Sequence, residues 1–150
     1  MVASSEIVIQ RINYNSDSYY NSLGFRYKIL RQPINLGLSE YDLKDEDKQI
    51  HIVANCGNLV VGCVLLKPID QERVRLRQMA VDDVLQGKGY GRKLVRFAEK
   101  IAQENGFKSI EMIARITAIG FYQKLGYQIE SEEYEEVTLR CVTMRRLFSE

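Results

Sequence analysis

Residues 86–94 read Gln-Gly-Lys-Gly-Tyr-Gly-Arg-Lys-Leu, with three glycines at alternate positions between two differently patterned stretches. Upstream, Val74, Leu76 and Val81 lie in a β-branched, partly alternating run that reads as a strand. Downstream, Leu94, Val95, Ala98, Ile101 and Ala102 recur along one face of an amphipathic helix. The glycines therefore fall where a strand hands over to a helix N-terminus. Lacking Cβ atoms, they let the backbone curl and let a ligand approach the peptide N–H groups. First-turn N–H groups have no intrahelical acceptor and carry the positive end of the helix dipole. The stretch thus predicts an anion site, most naturally for a phosphate or pyrophosphate, with Lys88, Arg92 and Lys93 adding positive charge. The plainer reading is a turn that only redirects the chain. A Walker A loop needs Ser or Thr after Gly-Lys, and here Gly87-Lys88 is followed by Gly89. A dinucleotide fingerprint needs G-x-G-x-x-G after the first strand, and the spacing here is G-x-G-x-G.

The remaining chain supplies the scaffold. Ile7, Val8, Ile9 and Ile12 read as a first strand, and Asn15, Ser16 and Asp17 as cap residues for a helix carrying Leu23, Tyr27 and Leu30. Pro33 is expected to close that helix, and Gly24 weakens it internally. Residues 33–49 predict a loop with a short helical turn. Glu40, Asp42, Asp45, Glu46 and Asp47 make its second half acidic: either a solvated surface or an electrostatic guide for a cationic amine. Residues 50–53 and 59–66 predict a hairpin around Asn55-Cys56-Gly57-Asn58. Residues 73–81 predict a fourth strand in which Arg73, Arg75 and Arg77 alternate with Val74, Leu76 and Gln78. That basic face is either an exposed sheet surface or the lining of a groove for an acidic group. After the glycine stretch and its helix, Asn105-Gly106 signals a stop. Residues 109–113 then predict a strand, 117–125 a short helix ended by Gly126, and 127–129 with 137–144 a final strand pair. Antiparallel strands followed by β-α-β-α-β-β argue a mixed sheet in an α/β domain.

At 150 residues one domain is expected. A net charge of +1 argues against duplex nucleic acid or an anionic membrane as partner. No apolar run approaches the length of a spanning helix, and the start lacks a signal pattern, so a cytoplasmic location is the default. Cys56, Cys63 and Cys141 are widely spaced and predict free, mostly buried thiols. Nothing spells a metal site.

The pattern Gln86-x-x-Gly89-x-Gly91 resembles the acyl-coenzyme A loop of the GNAT superfamily of N-acetyltransferases. Met79-Ala80-Val81 ahead of it is similar to that family's strand-plus-loop core. Ile119-Gly120-Phe121-Tyr122-Gln123-Lys124-Leu125-Gly126-Tyr127 resembles its second hallmark, a helix carrying Phe-Tyr and ending in Gly-aromatic. Both motifs stand in family order and separation. In the N-terminal half, Arg26, Arg31-Gln32-Pro33, Glu40-x-Asp42-x-x-Asp45 and His51 resemble the ElaA-type and YjcF-type branch. Two positions depart from it: Arg115 stands where Gln or Asn is expected near the end of the fifth strand, and Arg140 where a histidine is expected in the last.

The resemblance implies a GNAT-like α/β fold: a mixed, mostly antiparallel sheet of six to seven strands flanked by about four helices. It also implies an acetyl-CoA-dependent N-acetyltransferase that needs no metal and acts on a small-molecule amine or a protein amino group, and it leaves a homodimer open. It assigns the pantetheine arm to the backbone of Met79, Ala80 and Val81. The pyrophosphate goes to the stretch Gln86, Gly87, Lys88, Gly89, Tyr90, Gly91 and Arg92. Tyr122 becomes the general acid, since a phenol near pKa 10 and a thiol near 8.5 are close enough for proton transfer. Its plainer role is an aromatic on an apolar helix face. His51 has a suitable unperturbed pKa for a base, yet a lone histidine at a strand start is more often structural. Glu72, Glu111 or a water chain are alternatives, and the role stays empty. The rival reading is a non-catalytic acyl-CoA-binding module or sensor, which keeps the loop and lacks turnover.

Overall fold

Eight strands form one mixed sheet in a computed structural model that describes residues 6–148. β1 (Ile7–Ile12), β2 (Ile50–Cys56), β3 (Leu59–Pro68) and β4 (Arg73–Val81) form an antiparallel run. β5 (Ser109–Arg115) adds parallel to β4, and β8 (Leu139–Leu147) pairs antiparallel with β5. β6 (Gln128–Ile129) and β7 (Tyr134–Glu136) both pair with β8. The helices are α1 (Asp17–Arg26), α2 (Glu40–Leu43), α3 (Tyr90–Glu104) and α4 (Ile119–Lys124). The mixed, mostly antiparallel class with four α-helices is the expected one. None of the described helices is long and apolar enough to cross a membrane.

The sheet is covered on both faces, which is why its central strands read as continuous apolar runs. On one face, Ile52, Ala54, Val61, Val64, Leu66, Val74 and Leu76 meet Leu94, Val95, Ala98 and Ala102 of α3. On the other, Val53, Val60, Cys63 and Ala80 lie under Phe25 of α1. Gly62 of β3 admits α3 closely: a Cβ there would stand 2.9 Å from Leu94 Cδ1.

The short helical turn expected within residues 33–49 is α2, whose capping box pairs Ser39 with Asp42 in both directions. Three expectations need correction. The first helix does not stop before Pro33. It continues from α1 as a π-turn over Tyr27–Arg31 and a 3-10 turn over Gln32–Ile34, ending at Asn35 in the left-handed region (φ 60). Proline fits there because the first turn of a helix does not use that N–H. Second, the sheet gains a short strand, β7. Third, Val137 is not part of the last strand; with Thr138 it makes a two-residue hairpin turn, both at positive φ (49 and 63).

Candidate active site

β4 starts as an ordinary ladder and ends as one wall of a gap. It pairs with β5 from Arg73↔Ser109 to Leu76↔Met112, and no further. β5 continues to Arg115 along β8 instead. On its other side, β4 slips register against β3: Leu65 faces Arg77 while Cys63 faces Ala80, so Val64 opposes two residues. This is a β-bulge, and Gln78 sits in it at φ 51, a left-handed conformation that side chains rarely adopt. Beyond it, Asp82 N–H donates to Val61 O (2.8 Å). Antiparallel alternation then directs the peptide groups of Val81 and Met79 away from β3, into the gap. Val81 O accepts from Gln86 Nε2 (3.3 Å), which ties the gap's edge to the glycine stretch.

The glycine stretch is exposed, and Gly87 and Gly89 both adopt left-handed backbone (φ 78 and 87). Gly89 is the N-cap of α3, with no side chain capping it. The first intrahelical bond runs from Lys93 N–H to Gly89 O (3.1 Å), so the N–H groups of Gly91 and Arg92 ahead of it have no acceptor within the helix. Lys88, Arg92 and Lys93 surround them, all exposed. The Tyr90 side chain goes inward to the core, with Lys93 Nζ 4.8 Å over its ring. An anion site is what this loop can make.

α4 closes the far side. Phe121 Cζ comes within 3.3 Å of where a Gly91 Cβ would stand, and Met79 Cε within 3.7 Å, so strand, loop and α4 converge on one glycine. Tyr122 is buried beside them, its ring 4.9 Å from Phe121 and 5.8 Å from Tyr127. Its hydroxyl has no hydrogen-bond partner among the described residues, nor is it one of the enclosed unpaired atoms, so it reaches open space. Burial raises its pKa above the ordinary phenol value. The seat below is fixed: Tyr127 OH donates to Glu99 Oε2 (2.7 Å), and Glu99 also holds Arg96 and Arg146.

A glycine-rich helix N-terminus, a strand splayed from its parallel neighbour and a tyrosine on the flanking helix thus meet in one place. The sequence model of the Acetyltransferase (GNAT) family matches residues 9–127, most of the chain. The chain belongs to the GNAT acetyltransferase family. It is an acyltransferase by that membership. YyaT of Bacillus subtilis is 32% identical over 110 residues, 73% of each chain. The crystal structure of Escherichia coli ElaA superposes with a TM-score of 0.80 at 23% identity, covering 93% of this chain and 99% of that one. An aminoglycoside 6'-N-acetyltransferase complexed with coenzyme A gives 0.76 at 17%, covering 93% and 96%. At these identities the two structures share the fold with this chain.

Within this GNAT chain the acidic stretch is not a solvated loop throughout. Glu46 and Arg26 are both enclosed and bond through two nitrogens, Arg26 Nη1 to Oε1 (2.9 Å) and Nη2 to Oε2 (2.5 Å). Glu46 also accepts from Tyr19 OH (2.8 Å) and Arg77 Nη1 (3.4 Å). Burial alone would raise the Glu46 pKa, but the hydrogen bonds and charge of Arg26 hold it below its ordinary value. Arg26 Nε reaches on to Gln78 Oε1 (2.6 Å), so this network props the bulge. Asp42 is spent in the same way on Arg31 (2.8 Å). His51 is buried and donates from Nε2 to Glu46 O (2.7 Å), while Nδ1 has no partner. Burial lowers its pKa. On β2, with β3 between it and β4, His51 sits as a core histidine away from the gap.

The structure brings the predicted loop, β4 and Tyr122 into one place, and adds the Arg26–Glu46–Gln78 prop, which sequence reasoning missed. The only signal was a basic strand face and an acidic stretch of opposite sign, which together call for pairing. Arg77 connects this prop to the neighbouring surface, donating to Asp42 O (2.8 Å). There a cavity of about 290 Å³ opens between residues 36–42 and the β7–β8 turn, lined by Arg31, Leu36, Tyr41, Asp42 and Val137 among others.

Proposed function

We propose that the chain acts as a single catalytic domain that transfers an acetyl group from acetyl-CoA to a primary amine, of a small molecule or a protein. The observation that carries this is the gap between β4 and β5, edged by β4 peptide groups that no neighbouring strand pairs and ending at a helix N-terminus suited to an anion. Acetyl-CoA supplies the acyl group as a thioester; the amine nitrogen forms the new C–N bond as the C–S bond breaks. The residues divide the remaining work. Met79 and Val81 offer peptide groups for strand-like pairing with the pantetheine arm, and their N–H groups suit the developing oxyanion. Gly91 and Arg92 N–H groups suit the pyrophosphate, with Gln86, Gly87, Lys88, Gly89 and Tyr90 shaping the loop. Tyr122 stands as the proton donor to the departing sulfur. The complex of the aminoglycoside acetyltransferase with coenzyme A supports the same ligand here. The cavity beside Arg77 offers room for the acceptor on the side away from α3.

The test is thiol release from acetyl-CoA across a panel of amines, with binding of coenzyme A measured in parallel. Amine-dependent release is expected. Binding without release for any amine would favour a sensor, and absence of binding would sink the site itself.

Gly89→Ala isolates the loop. A Cβ there meets nothing within 4 Å, so the effect is confined to backbone strain at φ 87. That strain is about 1–2 kcal/mol. Coenzyme A affinity should fall by roughly tenfold, seen by calorimetry, if the residue must leave this conformation to relax.

A further inference from the structure

Half-buried arginines in this protein have acidic partners, with one exception. Arg26 and Arg77 hold Glu46, Arg31 holds Asp42, Arg75 holds Glu111, Arg96 and Arg146 hold Glu99, and Arg145 holds Glu130. Arg115 is also half-buried, and among the described residues it makes no hydrogen bond and no ion pair. A guanidinium carries five donors in a planar fork and stays charged. The Arg115 nitrogens are not among the enclosed unpaired atoms, so the fork is open to solvent and free to take an anion that arrives to meet it.

Its position says what that is. Arg115 is the last residue of β5 and pairs in register with Cys141. Ile110, Met112 and Ala114 turn towards α3, so alternation places Arg115 on the opposite face, with Glu111 and the Arg73, Arg75 and Arg77 row. Continuing the β4–β5 register carries it level with the bulge residues Gln78 and Met79, across the gap. The pyrophosphate end of the site lies on the α3 face; Arg115 lies on the acceptor's face. The acids that might have drawn a cation there are committed, Glu46 to two arginines and Asp42 to one. Glu136 lies near Cys141, as Arg115 does, but not within ion-pair distance of Arg115.

We propose that the acceptor amine also carries an anionic group, a carboxylate or a phosphate, which Arg115 seats. This rests on the acetyltransferase reading above and narrows its substrate class. It also reverses the expectation of a cationic acceptor drawn by the acidic stretch.

The experiment compares matched amines that differ in the anion alone: the common α-amino acids against their carboxamides, and phosphoethanolamine against ethanolamine. Thiol release is measured for the parent, Arg115→Gln and Arg115→Lys, with coenzyme A affinity and Tm determined for each. The parent should favour at least one anionic amine over its uncharged partner by about tenfold or more in kcat/KM, as expected for one charge-assisted bidentate contact. Arg115→Gln should abolish that preference with unchanged coenzyme A affinity, and Arg115→Lys should keep part of it. The amino acids and phosphoethanolamine separate the carboxylate from the phosphate. Preference for uncharged amines, a preference that survives Arg115→Gln, or loss of coenzyme A affinity in that variant would overturn the proposal. Coenzyme A binding with no release from any anionic amine would also overturn it, whereas failure to bind coenzyme A would overturn the underlying reading.

Discussion

Tyr122→Phe lowers amine-dependent thiol release by about tenfold to a hundredfold, within or just below the usual range for a general acid. Coenzyme A affinity and Tm should stay close to the parent. The ring is retained, so its contacts with Phe121 and Tyr127 persist. The lost hydroxyl has no hydrogen-bond partner among the described residues, so little stability goes with it. Burial raises the phenol's pKa, so the proton stays on the oxygen throughout the neutral range, but the wider gap to a departing thiolate makes this a weaker donor than a free phenol and limits the loss. The fall is bounded because a thiolate of pKa about 8.5 leaves tolerably well and water can protonate it afterwards. The rate should be read at saturating amine with the parent alongside. An unchanged kcat would remove Tyr122 from the reaction and leave it as a core aromatic.

Glu46→Ala should be the most damaging single change to stability. It strands Arg26, whose side chain has no exposure, without its carboxylate. Breaking one side of a buried pair costs about 3–5 kcal/mol, or on the order of 10 °C in Tm for a domain of this size. Arg77 and Tyr19 lose an acceptor at the same time. Because Arg26 also holds Gln78, the bulge loosens, and KM for acetyl-CoA should rise even at temperatures where the variant is folded. The same pair sets an acid limit. The folded Glu46 pKa lies below its ordinary value, so the pair's contribution is complete above that value. It is lost as pH falls through the folded pKa. Glu46→Gln should flatten that part of the acid-unfolding curve; an unaltered curve would show that the linkage resides elsewhere.

The sequence carried the glycine stretch, α3 and β4 because each is a periodic or compositional signal within a dozen residues. It carried the Phe121-Tyr122 helix through a motif rather than through physics, since an aromatic pair on a short helix reads equally well as core. The bulge was silent: Gln78 at φ 51 has no turn residue to announce it, and an alternating Arg-Val run looks the same with or without an added residue. β7 was hidden for two reasons. Glu-Glu-Tyr-Glu-Glu reads as solvent, and Val137-Thr138 is the reverse of the Asn-Gly chemistry that positive φ favours. Glu46 was misjudged because its partners, Arg26 and Arg77, lie 20 and 31 residues away. A local charge count cannot see such pairing.

The bulge in β4 also divides that strand into two reading frames. Before it, odd-numbered residues Arg73, Arg75 and Arg77 face away from α3; after it, odd-numbered Met79 and Val81 face towards α3. One added residue changes the phase and turns the strand's end from ladder into one edge of the gap. Substitutions along β4 therefore cannot be compared by parity across Gln78. A relative lacking one residue at that point could keep the sheet and every side chain around the loop. It would still present the opposite faces of Met79 and Val81 to whatever enters the gap.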